Sequence, residues 1–322
     1  MKSCRSKFNL GIVLILAGGA LAHASNIYVS DSGSGTILQF DSSGNESVFT
    51  SGLNNPAGIA FDGVGNLYVA DSGNGTILRY NSSGIGSVFA SGLNDPTGLA
   101  FDNDGNLYVA NQGNGSIVRF NSGGNSSVFA SGLGSNEDPT YLAFDNGGNL
   151  YVSATHSIEE FSASGSQSTI FPTWNYVYGI ASDRGGDLYA SLQNAGSITR
   201  ILGSGGPDIP LGYPYSLNAF QVEPTGLAFD GSGNLYATFT ELGYYGVNGG
   251  YNILNGVVME FNASGNGTIL TTGLNDPNYI AVQNALTIQP VEFVPEPSTW
   301  TMMVAGLVLM GAGCRSRLRN HR

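Results

Sequence analysis

Two consecutive stretches, Asn54–Leu93 and Asn94–Leu133, are 40 residues each and nearly superimposable. They read NNPAGIAFDGVGNLYVADSGNGTILRYNSSGIGSVFASGL and NDPTGLAFDNDGNLYVANQGNGSIVRFNSGGNSSVFASGL. A repeat of this length restricts a chain to solenoids, propellers and similar arrays. Each unit holds four short apolar runs separated by Gly, Asn, Asp and Ser. In the first unit these are Gly58–Phe61, Leu67–Ala70, Thr76–Tyr80 and Ser87–Ala90, strands a to d. Four strands per unit of this size is the arithmetic of a propeller blade. The run Leu67-Tyr68-Val69-Ala70 is apolar or aromatic on both faces, as a strand sandwiched between neighbouring blades must be.

Strand a recurs at Gly58, Gly98, Tyr141, Gly179, Gly226 and Tyr279, and strand b at Asn26, Asn66, Asn106, Asn149, Asp187 and Asn234. There are six of each in shifted phase: the series starts on a b strand and ends on an a strand. A closed ring explains the shift. Strands b, c and d of Asn26–Thr50 pair with the a strand of Asn278–Val282 to complete one blade, which hides the sheet edges that an open stack exposes. The expected fold is all-β, a six-bladed β-propeller with N/C-terminal strand closure, over residues 25–285.

The two ends read as addresses. Lys2, Arg5 and Lys7 precede a short apolar core from Leu10 to Leu21, and Ala22-His23-Ala24 fits the small-x-small rule for cleavage before Ser25. Residues 1–24 are thus expected to be a secretory signal peptide. Residues 286–298 form a linker ending in Val294-Pro295-Glu296-Pro297-Ser298, although Leu286–Phe293 also suits an extra edge strand. Residues 299–322 read as a short transmembrane helix and a basic stop of Arg315, Arg317, Arg319 and Arg322, which stays on the cytoplasmic side. VPEPST, an apolar helix and a basic tail resemble the PEP-CTERM sorting signal of Gram-negative bacteria. That resemblance implies an exosortase-type protease as partner, transient anchoring, and release to the cell surface or the extracellular matrix.

Charge narrows the function. Between the basic ends lie only Arg79, Arg119, Arg184 and Arg200, with no lysine, against all 23 acidic residues. Such a body repels a phosphate backbone, which excludes nucleic acid as a partner. Cys4 and Cys314 lie in the ends, so the body offers no disulfide, Cys–zinc site or Cys nucleophile. Asp102-Asn103-Asp104-Gly105-Asn106 looks like the start of a calcium loop, but it lacks the later Glu and the flanking helices and recurs as DGVGN, DNGGN, DRGGD and DGSGN. It reads as a hairpin turn. The Gly-rich strings from Asp31, Asp71 and Asn111 lie between strands and read as b–c turns, not phosphate cradles. No cofactor or metal is implied.

The unit PxGIAxDxxGNLYVADSGNGxI resembles the NHL repeat and the propellers of streptogramin lyase and gluconolactonase-like proteins over residues 26–283. The resemblance implies the fold, while such propellers host enzymes, receptors and scaffolds. A lyase of this kind uses a catalytic His with acidic partners, and a gluconolactonase holds a metal with Glu, Asn and Asp. The propeller has one histidine, His156, with Glu137, Asp138, Glu159 and Glu160 near it in sequence, and the catalytic pattern does not match residue by residue.

The repeat breaks in three aromatic places: Trp174, Tyr176 and Tyr178; Tyr213 and Tyr215 with Phe220; and a b–c insertion over Thr240–Asn255 with Tyr244, Tyr245 and Tyr251. The first two are d–a connections and the third is b–c, so all three fall on one face of the disc, on adjacent blades. Insertions on one face of a repeat protein often form its binding surface. Flat rings with polar edges suit a polysaccharide, and they also serve simply to pack long loops down. The sequence therefore favours a non-catalytic binding or structural module at the surface. A propeller-type lyase or lactone hydrolase and a protein-interaction scaffold stand as alternatives.

Overall fold

A computed structural model describes residues 25–283, apart from 134–137, 165, 174, 194, 202–208, 211–221, 246–250 and 263–266. The chain divides into two units, Met1–Ala285 and Leu286–Arg322. The signal peptide, linker, sorting motif and membrane span expected from the sequence all lie outside the described residues. Among the described residues no helix is long and apolar enough to cross a membrane.

The propeller has six four-stranded antiparallel sheets. The closing blade joins β1 (Asn26–Asp31), β2 (Thr36–Phe40) and β3 (Glu46–Ser51) to the last strand, β24 (Pro277–Gln283). The second holds β4 (Pro56–Phe61), β5 (Leu67–Asp71), β6 (Thr76–Tyr80) and β7 (Gly86–Ser91). The third holds β8 (Pro96–Phe101), β9 (Leu107–Asn111), β10 (Ser116–Phe120) and β11 (Ser126–Ala130). The fourth holds β12 (Leu142–Phe144), β13 (Leu150–Ala154), β14 (Ser157–Phe161) and β15 (Gln167–Pro172). The fifth holds β16 (Val177–Ser182), β17 (Leu188–Leu192), β18 (Ser197–Ile201) and the two-residue β19 (Ile209–Pro210). The sixth holds β20 (Val222–Phe229), β21 (Leu235–Tyr245), β22 (Tyr251–Phe261) and β23 (Gly267–Thr271).

The closure expected from the phase shift is present. Asn26 pairs with Gln283, Tyr28 with Ala281 and Ser30 with Tyr279. Gln283 Oε1 accepts from Asn26 Nδ2 at 3.2 Å and from the Tyr28 hydroxyl at 3.5 Å. The inner strands then neighbour one another in the order β4, β8, β12, β16, β20, β24 and back to β4.

The turns explain why the sequence is rich in Asp, Asn and Gly. In the β4–β5 turn, Asp62 Oδ1 accepts the backbone N–H groups of Val64 (3.1 Å) and Asn66 (2.8 Å), and its Oδ2 accepts Asn66 Nδ2 (2.6 Å). Asp102 repeats all three bonds, to Asp104 and Asn106. The carboxylate of the calcium-like string is thus engaged by its own turn. The β5–β6 turn is one turn of 3-10 helix, Ser72–Asn74, ended by Gly75 at φ 63°. A Cβ there would stand 2.5 Å from the Leu93 carbonyl, so only glycine fits. The Gly73 N–H donates to the Asn54 carbonyl at 2.9 Å and the Asn54 N–H to Asp71 Oδ1 at 2.7 Å. These bonds place d–a and b–c connections on one face.

Blades adhere through aromatic clusters. Tyr68 of β5 meets Phe89 of β7 and Phe101 of β8 edge-on, each with centroids 5.0 Å apart, and Phe89 meets Phe120 of β10 at 5.7 Å. The same quartet recurs one blade on as Tyr108, Phe129, Phe144 and Phe161. Each edge-to-face pair adds about 0.5–1.5 kcal/mol beyond area burial. Phe120 is 5% exposed. Phe120→Ala is therefore expected to destabilise the propeller by about 3–5 kcal/mol, read as a lower midpoint in urea unfolding with an unchanged slope.

Candidate functional site

The face carrying the d–a and b–c connections also carries the departures from the repeat. The connection of residues 173–176 is tied to two neighbouring turns. The Thr173 N–H donates to the His156 carbonyl at 2.8 Å, and the Gln193 N–H donates to the Tyr176 carbonyl at 3.0 Å. The Tyr176 ring lies 4.9 Å from the His156 ring and stays 43% exposed. Tyr178, two residues on, turns to the propeller axis, where its ring lies 6.2 Å from that of Tyr141. The two tyrosines therefore do different things. Trp174, Tyr213 and Tyr215 lie outside the described residues.

The Thr240–Asn255 insertion, read from sequence as a loop, is instead an extension of the sheet. β21 and β22 continue paired through Glu241 opposite Asn255 and Tyr244 opposite Asn252, to Tyr245 opposite Tyr251. Only residues 246–250 connect the two arms. The insertion is thus a projecting hairpin that carries Tyr244, Tyr245 and Tyr251 on its far end, on the face expected from its b–c position.

The axis holds two residues that the sequence reading left aside. Four inner strands place glycine at one slot: Gly58, Gly98, Gly179 and Gly226. A Cβ at these positions would stand 2.1, 2.5, 2.1 and 2.7 Å from a carbonyl oxygen of the next inner strand or its lead-in. At the same slot β12 is led by Tyr141, and β24 carries Tyr279. These blades are opposite each other in the ring, and the two rings stack across the axis with centroids 4.1 Å apart and planes 12° apart. The Tyr141 hydroxyl donates to the Asn278 carbonyl, and the Tyr279 hydroxyl to the Thr140 carbonyl at 3.4 Å. Burial pushes both phenols well above their usual range, so both remain neutral donors. The signal was in the sequence: a GGYGGY series read around six positions puts its two tyrosines half a ring apart.

Beneath this stack lies a cavity of about 240 Å³, lined by Ile59, Leu99, Leu142, Ile180, Leu227 and Ile280, one from each inner strand. Carboxylates stand around the axis on the insertion side. Burial first, then Asp276 and Glu223, push the Tyr178 phenol up. Asp95 and Asp276 hold φ of 53° and 69° immediately before proline. That conformation is strained for a residue with a side chain. Ser72 donates to Asp95, and Ser32 to Asp276 at 2.9 Å.

Glu159 and Glu160, near His156 in sequence, are engaged away from its ring. Glu159 is buried and accepts from Ser157 (3.0 Å), Thr169 (2.8 Å) and Gln167 (3.4 Å). The Tyr151 hydroxyl donates to Glu160 at 3.5 Å. The partner of His156 is the Tyr176 ring, and its Nδ1 is buried without a hydrogen bond. Glu137 lies outside the described residues. Among the described residues no three His, Cys, Asp or Glu side chains are grouped to hold a metal ion.

Comparison with known proteins agrees with this geometry. Residues 32–156 match the SMP-30/Gluconolactonase/LRE-like region. The solved streptogramin B lyase superimposes with a TM-score of 0.56 at 14% identity, covering 74% of this chain and 88% of that one. A gluconolactonase from Xanthomonas campestris, XC5397, gives 0.58 at 14% identity, covering 81% and 89%. A protein of unknown function from Bacteroides caccae gives 0.60 at 15% identity, covering 80% and 98%. At these identities the likeness shows the fold. No curated protein sequence matches. The chain is thus a six-bladed β-propeller with an SMP-30/gluconolactonase-like region. Its residues 293–318 are a PEP-CTERM protein-sorting motif, which implies an exported protein sorted by an exosortase.

The close approach of inner strands is directly testable. Gly98→Ala sets a Cβ 2.5 Å from the Thr140 carbonyl and 2.9 Å from Tyr141 Cα. It is expected to lower stability by about 1–3 kcal/mol in urea unfolding.

Proposed function

We propose that the propeller is a non-catalytic module, shown at the cell surface or in the extracellular matrix, that binds glycan on its insertion face. The observation that carries this reading is the collection of departures from the repeat on one face. They are the exposed Tyr176, the long hairpin bearing Tyr244, Tyr245 and Tyr251, and the axial Tyr178. The exposed Tyr176 ring, presented by backbone tied to two neighbouring turns, suits the face of a sugar ring. β24 ends at Gln283 on the a–b face, opposite the face of the insertions.

Charge refines the ligand. Among the described residues the insertion face carries Asp95, Asp138, Glu223, Glu241 and Asp276 and no Lys or Arg. The four arginines Arg79, Arg119, Arg184 and Arg200 sit toward the a–b and c–d turns. A uronate-rich polymer would be repelled from the insertion face, whereas a neutral or amine-bearing one would not. On a glycan array the protein should bind neutral or amine-bearing polysaccharides. The variant with Tyr176, Tyr244, Tyr245 and Tyr251 all changed to Ala should bind at least about tenfold more weakly, as the loss of several stacking contacts implies. Unchanged binding in that variant, or no binding by the parent, would refute the reading.

The fold likeness to streptogramin B lyase and a gluconolactonase favours a second reading, a lyase or lactone hydrolase. His156, the propeller's one imidazole, would then be required, or a divalent ion would. Neither His156→Ala nor chelation is expected to change any activity found in the purified protein beyond its blank. A loss of turnover on either treatment would favour the enzyme.

A further inference from the structure

The last strand differs from the other inner strands in how the chain holds it. β4, β8, β12, β16 and β20 continue at both ends into chain that stays in the ring. β24 does so only at Pro277. Beyond Gln283 the chain runs on toward the sorting motif of residues 293–318. One edge of β24 pairs with β1, and among the described residues the other has no strand partner. A pull from beyond Gln283 therefore loads a strand held by a single ladder. Peeling it away would open the ring at its one non-covalent seam.

The tyrosine stack acts at this strand. Tyr279 lies within β24, next to Asn278, whose carbonyl accepts the Tyr141 hydroxyl. Tyr141 belongs to the blade half a ring away and does not share the β1–β24 ladder. The stack and its two reciprocal hydrogen bonds thus tie β24 across the axis by contacts independent of the seam. Side-chain bonds from Asn26 and Tyr28 to Gln283 secure the far end of the strand. Tyrosine stands in the glycine slot only at β24 and at the position opposite it, the two places such a tie requires.

We propose that Tyr141 and Tyr279 form a cross-ring latch that keeps β24 seated while the chain beyond it is anchored or processed. The latch rests on the sorting reading only for the source of the load. Hydrogen exchange of the full chain tests it. Tyr141→Gly gives β12 the residue that the other inner strands carry. In that variant the amides of β24 should exchange about tenfold faster, while those of β5 and β6 keep their parent rates. Exchange in β24 that is unchanged, or that rises in step with β5 and β6, overturns the latch. Should Tyr141→Gly fail to fold, Tyr141→Phe keeps the ring and removes the hydroxyl. It should speed β24 alone, by about threefold, and an unchanged rate there overturns the latch. Failure of the sorting reading would appear separately, as a C-terminal mass that stays intact in the host, without altering exchange in the ring.

Discussion

The ladder between β1 and β24 is the contact on which the propeller depends. It joins residues 257 positions apart, Asn26 and Gln283. Closing a loop of that length costs about 5 kcal/mol of chain entropy plus a constant. Without this closure, two blades would each present an apolar face to water and the closing blade would lack its inner strand. Ile27 and Val29 of β1, fully buried in the ring, pack in one cluster with Ile280 and Val282 of β24 and with Tyr236 and Val258 of the sixth blade. Seam formation and the last blade-to-blade contact are therefore one event. Ring stability is shared by all six blades instead of being a sum of neighbouring pairs, as it would be in an open array.

Closure also forces the inner strands together, and that crowding selects the residues on the axis. Four glycines accept the close approach of a neighbouring backbone. The remaining two places spend the central space on a pair of tyrosines. Filling the axis from two opposite blades lets the rings stack, which adjacent blades could not achieve at this separation. The insertion face is then sealed at its centre, so a ligand on that side meets the outer loops and the hairpin, not a deep axial pocket.

Much of this was legible in the sequence, for physical reasons that differ by feature. Strand identity and turn type were readable because each is local: Asp62 with Val64 and Asn66 encodes its turn within five residues. Closure was readable because the strand series begins and ends out of phase. The shared face of the insertions followed from strand alternation. The hairpin was misread as a loop because Thr240-Glu241-Leu242-Gly243 and Ile253-Leu254-Asn255-Gly256 carry glycines and polar residues that suit a connection, while their pairing is imposed by the strands they prolong. The roles of Tyr176 and Tyr178 separated only in the structure, where Tyr176 lies in the connection before β16, against His156, and Tyr178 lies within the strand, beside Tyr141 at the axis. His156 was grouped with Glu159 and Glu160 by nearness in sequence, but a strand sends neighbouring side chains to opposite faces, and each carboxylate found its partners within its own blade.

Function follows from which polar groups the fold leaves free. In the regular blades several carboxylates are engaged by the architecture: Asp62 and Asp102 by their turns, Asp71 by the lead-in to its own blade's inner strand. Such groups are held in place by their turns, with most of their acceptor sites used within the blade. The same economy applies to Glu159, held by three side chains. The repeat fails at the exposed Tyr176 and at the hairpin of β21 and β22, while Asp95, Asp276 and Glu223 around the axis accept from Ser72, Ser32 and Thr240. Among the described residues, Tyr176 offers an exposed ring face and the carboxylates around the axis offer hydrogen-bond acceptors. An arrangement of that kind is what the proposed glycan-binding reading draws on, since the regular blades use acids such as Asp62, Asp102 and Glu159 for structure.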